Sequence, residues 1–258
     1  MKLLMLKSNL LLVLAIILFA TNGMAQSDFQ SKGTIEYEYK VNNHKNFWWS
    51  EDDENDDENA WRKTMVENTP KFSTYFYTLK FADNRSIFAY KGKPETDKKM
   101  WGDDQKEEDM WYINYTTNKY TNQRNIFGEV MKIEDSIQSI KWKLVPNDAR
   151  EFAGFTCKKA IGKIFDSVYV FAYYTDAITL SGGPMNINGL PGTIMAITVP
   201  RLAISCVATS FTPLVNEEAI QPPKKGKAKP SNDILKKIKE ATKDWGRYAE
   251  KGIWQCFM

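Results

Sequence analysis

Residues Ser181 to Pro200 read SGGPMNINGLPGTIMAITVP, and the rest of the chain is organised around this stretch. Turn-forming residues at Gly182-Gly183-Pro184 and at Pro191-Gly192 enclose a short polar loop, and the β-branched apolar run Thr193 to Val199 follows directly. The pattern predicts a strand-rich half before the loop, and one strand pair and a charged helix after it.

The tripeptide Leu190-Pro191-Gly192 is predicted to form a stiff turn. Proline fixes its own φ as position i+1 of a turn requires, and glycine accepts a positive φ at i+2, so the pattern predicts a type II β-turn. Leu190 precedes proline and is expected to be extended, with its side chain projecting from the loop. Two interpretations follow: a structural turn whose leucine plugs the end of a sheet, or a rigid recognition loop.

The recognition interpretation assigns ligand binding to the loop and to one aromatic residue of the strand before it. The candidate residues are Tyr174, Gly183, Pro184, Asn188, Gly189, Leu190, Pro191 and Gly192. No catalytic residue, metal site or cofactor site is predicted, because the chain has no Cys-x-x-Cys, no His-x-x-x-His and no P-loop.

The segment Gly189-Leu190-Pro191-Gly192-Thr193-Ile194 resembles the signature of the GLPGLI family of exported Bacteroidetes proteins, with Thr193 where the family name has Leu. Ala177-Ile178-Thr179 stands where the family pattern has an Ile-Pro pair. Together with Thr193, this departure implies that the chain is a divergent member of the family. The family has no established activity, so the resemblance implies export without a defined chemistry. Further segments that resemble the family lie at Gly33 to Tyr37, Trp142 to Leu144, Gly154 to Ala160, Tyr173 to Thr175, Ile178, Gly183-Pro184 and Lys225 to Lys227.

Residues 1–25 are predicted to be a signal peptide. Lys2 and Lys7 form a basic start, and Leu10 to Ala20 is apolar but too short to span a bilayer. Cleavage near Ala25 leaves residues 26–258 as a single β-rich domain, periplasmic or extracellular. No cysteine follows the cleavage point, so no lipid anchor and no membrane span are expected.

The composition favours a folded, nearly neutral protein. Apolar residues make up 43% and aromatic residues 13% of the chain, enough to build a core. The formal net charge is only +3, so no nucleic-acid partner is expected. The three cysteines, Cys157, Cys206 and Cys256, permit one disulfide in an oxidising compartment, and the sequence leaves the pair open.

Short β-branched and aromatic runs at regular spacing predict a mainly β (α+β) fold, an antiparallel meander that forms an open or half barrel. A similarity to the half-barrels of bacterial lipoprotein carriers is a fold-level analogy and settles no function. The predicted turns are Asp83-Asn84, Thr116-Thr117-Asn118, Pro146-Asn147-Asp148, Phe165-Asp166 and Pro200-Arg201. The predicted strands are Thr34 to Val41, Phe72 to Phe81, Ser86 to Tyr90, Met110 to Tyr115, Lys119 to Arg124, Phe127 to Ile133, Ile140 to Val145, Gly154 to Ile164, Ser167 to Tyr174, Thr193 to Val199 and Leu202 to Ser210.

The C-terminal part is predicted to leave the sheet at Pro213. Residues 221–230 read as a Pro- and Lys-rich linker, and residues 231–250 as one helix packed on the sheet. The apolar face of this helix is predicted to consist of Ile234, Leu235, Ile238, Ala241 and Trp245.

Charged segments elsewhere are predicted to be solvated. The acidic run Glu51 to Glu58 lacks the glycine and distal glutamate of a calcium loop, which favours a solvated insertion over a calcium site. Gly92 to Asp109 is a polar loop, and its carboxylate pairs Asp103-Asp104 and Glu107-Glu108 are expected to face water.

Three functional hypotheses remain from the sequence. The first is a non-enzymatic envelope protein that binds an apolar or amphipathic ligand between the sheet and the helix, since aromatics occupy both faces of strands such as Tyr75-Phe76-Tyr77. The second is an envelope protein-interaction module with an exposed apolar patch or sheet edge beside the 181–192 loop. The third is a hydrolase, which would have to use His44, the single histidine of the chain.

Overall fold

The computed structural model describes residues 29–46, 63–97 and 103–258, and the structural statements below refer to these ranges. Within them, twelve strands form one large open sheet that does not close on itself, with helices at the C-terminus. The predicted mainly β, open fold is therefore confirmed. The predicted signal peptide and the acidic run Glu51 to Glu58 lie outside the described residues.

The first half of the sheet is an antiparallel meander in which each strand pairs with the next. Asp83 and Asn84 both have positive φ, as the tight hairpin turn predicted there requires. The strands are β1 (Gly33–Asn42), β2 (Phe72–Ala82), β3 (Arg85–Gly92), β4 (Met110–Asn114), β5 (Lys119–Ile126) and β6 (Glu129–Ser136).

The second half is another antiparallel meander, and its last strand pairs with β1. The sheet is thus two meanders joined through β1, which lies between β2 and β11, and β7 forms one edge. The strands are β7 (Lys143–Phe152), β8 (Phe155–Ile164), β9 (Val168–Thr175), β10 (Thr193–Val199) and β11 (Ile204–Thr212).

Two predicted boundaries are wrong for identifiable reasons. Pro146-Asn147-Asp148 is not a turn but a bulge inside β7, where the pairing with β8 shifts between Val145 and Ala149. The extra residues bend the strand without ending it, and Asn147 takes a positive φ. Phe127 does not start a strand, because Phe127 and Gly128 form the positive-φ turn between β5 and β6.

The sheet does not end at Pro213 as predicted. Within the predicted linker 221–230, β12 (Ala228–Lys229) pairs in parallel with Lys132 and Ile133 of β6. This short strand covers the second edge of the sheet and brings the chain to the start of the first C-terminal helix.

The predicted helix over residues 231–250 is divided in two. Helix α3 (Ser231–Ala241) and helix α4 (Ala249–Phe257) are joined by a 3₁₀ segment, Lys243–Tyr248, in which Gly246 has φ 54° and ψ −130°. This backbone conformation is almost restricted to glycine, so the helix must break there. Ile234 and Ile238 are buried, but Ala241 of the predicted apolar face is exposed. Two helical turns earlier in the chain are α1 (Asn43–Asn46) and α2 (Asp103–Lys106), and residues 63–68 are also helical.

Aromatic side chains from β1 to β4 fill the centre of the main core. Tyr77 stacks on Phe88 with ring centres 4.8 Å apart, and Tyr37 meets Phe88 edge-on at 5.7 Å. Trp111 adds a third ring next to Phe88, at 5.6 Å. These rings are among the largest fully buried side chains of the described residues, as expected for strands rich in aromatic residues.

Candidate functional site

The loop 176–192 between β9 and β10 is tied to itself by backbone contacts. Ser181 Oγ donates to Leu190 O at 2.7 Å, and Gly189 N donates to Ser181 O at 3.3 Å. Ile194 N, at the start of β10, donates to Gly182 O at 2.8 Å. The two ends of the loop are therefore fastened together, as the predicted stiffness requires.

The turn at Leu190-Pro191-Gly192 differs in type from the prediction. Gly192 N donates to Leu190 O at 2.8 Å, which closes a three-residue γ-turn around Pro191 instead of a type II β-turn. The side chain of Leu190 is only 1% exposed and lies in the main core instead of projecting outward. Its position is that of the structural plug, the first of the two interpretations.

Two glycines of the loop stand where no side chain fits. A Cβ on Gly192, where φ is 138°, would lie 2.1 Å from Thr175 O, and a Cβ on Gly183 would lie 2.6 Å from Ile194 Cβ. Both glycines let β10 pack directly against the neighbouring backbone and core. The close approach of neighbouring atoms at these two positions therefore explains why the motif has glycine there.

The remaining predicted site residues are divided between core and surface. Tyr174 and Asn188 are 3% and 6% exposed, and Pro184 is buried, whereas Gly189 and Pro191 are exposed. Asn188 O accepts a 2.9 Å hydrogen bond from Trp142 Nε1, which connects the loop to the residue just before β7. The exposed residues of the loop are Asp176, Thr179, Ser181, Gly189 and Pro191.

A second group of residues, outside the motif, encloses a small cavity of about 10 Å³. The cavity lies between the sheet, the loop and the end of helix α4. We call it the Arg124 cavity, and its lining consists of Tyr39, Tyr77, Phe88, Lys106, Asp109, Trp111, Arg124, Met185 and Met258.

Arg124 and Asp109 form a buried ion pair in the wall of this cavity. Arg124 Nε lies 3.1 Å from Asp109 Oδ1, and both side chains are largely shielded from water. Tyr77 Oη donates to Asp109 Oδ2 at 3.2 Å. The pKa of Tyr77 is raised, mainly because the side chain is buried and also because the Asp109 carboxylate is negatively charged. The guanidinium also lies over the Trp111 ring, 5.0 Å from its centre.

The same guanidinium holds helix α4. Arg124 Nη1 donates to Gln255 O at 2.9 Å and to Cys256 O at 3.1 Å, two of the last carbonyls of the helix. A cation at the C-terminal end of a helix is favourable because the helix dipole is negative there. One side chain of β5 therefore connects the sheet, the ion pair and the C-terminal helix.

Lys106 is the second cation of the cavity. Its Nζ lies 4.8 Å from the ring centre of Tyr75 and 5.7 Å from that of Tyr39. Burial lowers the pKa of Lys106, with Asp109 opposing the effect and Arg124 adding to it. Within the described ranges no carboxylate lies within ion-pair distance of this ammonium group, whereas Lys93 pairs with Asp103 at 2.8 Å.

Two buried polar atoms on this face have no hydrogen-bond partner in the described part of the chain. They are Trp111 Nε1 and Asn122 Oδ1, and the two residues are cross-strand neighbours on β4 and β5. Trp111 is 2% exposed and lines the cavity, whereas Asn122 is not among the lining residues. A buried donor without an acceptor is unfavourable by about 1–3 kcal/mol.

The sequence pattern does not reveal this site, because the polar and charged residues 92–109 predict a solvated loop. Asp104 and Glu107 are exposed as predicted, but Asp103 is buried and accepts a 2.7 Å hydrogen bond from Tyr75 Oη, so that prediction was wrong. Tyr75 and Tyr77 lie two residues apart on one face of β2, and their buried hydroxyl groups need acceptors. The spacing of these two tyrosines is the feature of the sequence that indicates buried hydrogen-bond acceptors nearby.

In the described part of the chain, the hydrogen bond of His44 is with a backbone carbonyl and not with a nucleophilic side chain. Its Nε2 is 2.9 Å from Thr69 O, and because a carbonyl oxygen only accepts, Nε2 carries the proton. Thr69 also lines an open polar groove with Phe72 and Asp97. Within the described ranges no group of three or more His, Cys, Asp or Glu side chains is placed to hold a metal ion.

No family model matches this chain, and no curated protein matches it in sequence.

In the described part of the chain, no helix is both long enough and apolar enough to cross a bilayer. The candidate site has two parts: the loop 176–192, called the motif loop below, and the ionic, aromatic cavity beside the end of helix α4.

All three cysteines are free, and none of the disulfides that the sequence allowed is formed. Cys157 and Cys206 are buried, and Cys256 on α4 is partly buried. Burial raises the pKa of Cys157 to about 12 and that of Cys256 to about 11, and it raises the pKa of Cys206 well above its ordinary value.

The close approach at Gly192 predicts a large effect of one methyl group. Gly192→Ala should lower the free energy of unfolding by at least about 3 kcal/mol, because the new Cβ would strike Thr175 O. Gly128→Ala is the matched control, since φ is 84° there and the space around it is open, and it should cost only about 1 kcal/mol. Urea denaturation of both variants checks this, and equal losses would contradict it.

The buried ion pair predicts a strong dependence on Asp109. Asp109→Asn leaves Arg124 charged and buried without its carboxylate, so the free energy of unfolding should fall by about 3–5 kcal/mol. Asp176→Asn is the control, because Asp176 and its partner Lys158 are both more than half exposed, and its effect should stay within about 1 kcal/mol. Denaturant titrations compare the two variants, and similar losses would contradict the expected cost of leaving Arg124 buried without its carboxylate.

The raised thiol pKa values predict slow labelling. At pH 8 the native protein should react with a disulfide reagent far more slowly than the urea-unfolded chain, because thiolates are the reactive species. The rate at Cys256, measured alone in a Cys157→Ser, Cys206→Ser variant, should increase as the pH rises from 9 towards the pKa of about 11. Rapid labelling of all three thiols in the native state at pH 8 would show that the core opens easily.

Proposed function

We propose that this chain is a non-enzymatic exported protein of the GLPGLI type that binds a small amphipathic molecule between its sheet and helix α4. The observation that carries the proposal is the lining of the Arg124 cavity, which combines aromatic and apolar side chains with three charged ones, Lys106, Asp109 and Arg124. Ligand sites in proteins combine such apolar walls with a few fixed polar groups.

The apolar wall comes from three parts of the fold. Phe88 and Trp111 come from the sheet, Met185 from the motif loop and Met258 from the end of the C-terminal segment. Methionine side chains adapt to irregular shapes, which suits a wall that has to accept a chain-like ligand. The motif loop thus contributes a side chain to the site while its glycines and Leu190 hold it in place.

The volume of the cavity requires a movement for binding. A space of about 10 Å³ accepts one water-sized group, so an alkyl chain enters only if helix α4 moves away from the sheet. Gly246 separates α4 from α3 and has open space around its Cα, which makes it the natural hinge. Opening would break the contacts of Arg124 with Gln255 O and Cys256 O, and also the contact of Arg201 with the ring of Trp254 on α4.

A second candidate function is that of an interaction module, and the position of β7 favours it. β7 is an edge strand of ten residues, and Leu144 on it is 54% exposed. Trp142, just before β7, bonds the motif loop through Asn188 O, so the edge and the loop are neighbours. Edge strands can accept a further strand from a partner protein.

Ligand binding is tested with single-chain dodecyl amphiphiles and native mass spectrometry of the full mature chain. A 1:1 complex is expected. Phe88→Trp fills the cavity and should weaken binding about tenfold or more, a loss of about 1.4 kcal/mol. Tyr169→Trp is the control, because Tyr169 is 54% exposed and does not line the cavity. The absence of any complex, or equal binding by both variants, would overturn the proposal.

A further inference from the structure

The Arg124 cavity has an excess of hydrogen-bond donors. Arg124 is matched by Asp109 and by two helix carbonyls. The Lys106 ammonium lies over the rings of Tyr75 and Tyr39 and forms no ion pair within the described ranges, although the charges of Asp109 and Asp103 act on it from a greater distance. Trp111 Nε1 has no partner in the described residues. A ligand that completes this site must therefore bring acceptors.

The charges favour an anion among the possible acceptors. Asp109 and Asp103 are each paired with a basic side chain, so Lys106 is the cation that no carboxylate neutralises in the described ranges. A cationic head group would meet Lys106 and Arg124 in a site of low dielectric constant, where like charges repel strongly. A neutral hydroxyl group would supply one acceptor but would leave the charge uncompensated.

We propose that the Arg124 cavity binds the carboxylate end of a single-chain amphiphile, with Lys106 and Trp111 as the donors and Phe88, Met185 and Met258 along the chain. This inference rests on the proposed function, because it specifies the ligand of the same site. Charge-assisted hydrogen bonds to the carboxylate are stronger than neutral ones, and the indole donor fixes the orientation of the head group.

A simpler occupant would be one water molecule. Asn122 Oδ1 is an unpartnered acceptor opposite Trp111, and a water between them would satisfy both atoms without any ligand. Such a water would still leave the Lys106 ammonium without an ion pair. Only the carboxylate proposal therefore predicts that the affinity for a ligand depends on the charge of its head group.

The test compares four compounds at pH 8: dodecanoate, 1-dodecanol, dodecylammonium and acetate. Dodecanoate should bind at least about tenfold more tightly than dodecanol, dodecylammonium should bind more weakly than both, and acetate should not bind at comparable concentrations. Lys106→Met should remove the preference for dodecanoate over dodecanol. Lys163→Met is the matched control, since Lys163 also lies over a tyrosine ring, 5.7 Å from the centre of Tyr169, but outside the cavity.

The outcomes separate the two proposals. If no dodecyl compound binds, the proposed function fails and this inference fails with it. If dodecanoate and dodecanol bind equally, or if Lys106→Met keeps the preference, the carboxylate assignment alone is overturned. Acetate binding as tightly as dodecanoate would also overturn it, in favour of a small free anion. Lys106→Gln, which keeps a donor without the charge, provides a second variant and should also lose the preference.

Discussion

The pairing of β1 with β11 is the contact on which the sheet depends. Each meander is local in sequence, but β1 and β11 are separated by most of the chain, and among the described strands their ladder is the pairing that joins the two halves of the sheet. Tyr37 strengthens this junction, because its Oη donates to Ile194 O of β10 at 2.7 Å, across β11. Without the ladder, two long central strands would become exposed edges with unpaired backbone groups, which is a condition that favours aggregation.

The junction also explains why the motif loop is so compact. β10 follows the loop directly and lies between β11 and β9. The loop must therefore reverse the direction of the chain beside the part of the core in which Tyr37 contacts Ile194. Gly183 and Gly192 provide the close approach that this requires, and Leu190 fills the space beneath. The residues that define the motif are thus accounted for by packing, and Met185 is the loop residue that reaches the candidate site.

Local chemistry predicts much of this fold but little of the site. Asp83-Asn84 and Phe165-Asp166 were predictable as turns because their left-handed backbone and their flanking apolar runs are encoded within a few residues. Pro146-Asn147-Asp148 carries similar local signals yet forms a bulge, because only the pairing of β7 with β8 decides between the two outcomes. Asp103 is a comparable case: its neighbours are charged, and its burial depends on the hydroxyl of Tyr75 from a strand 28 residues earlier.

The Arg124 cavity is difficult to explain as a purely structural feature. Buried ion pairs are often no more stabilising than apolar residues of the same volume, so Arg124 and Asp109 add little on their own to the stability of the sheet. Lys106 is still less favourable, because two tyrosine rings return only about 2 kcal/mol against an ammonium desolvation of several kcal/mol. A site that keeps a charge and an indole donor without acceptors is stabilised most by a group that brings them. An anionic ligand would supply these acceptors, and the hydrogen bonds that it forms with Lys106 and Trp111 would contribute to its free energy of binding.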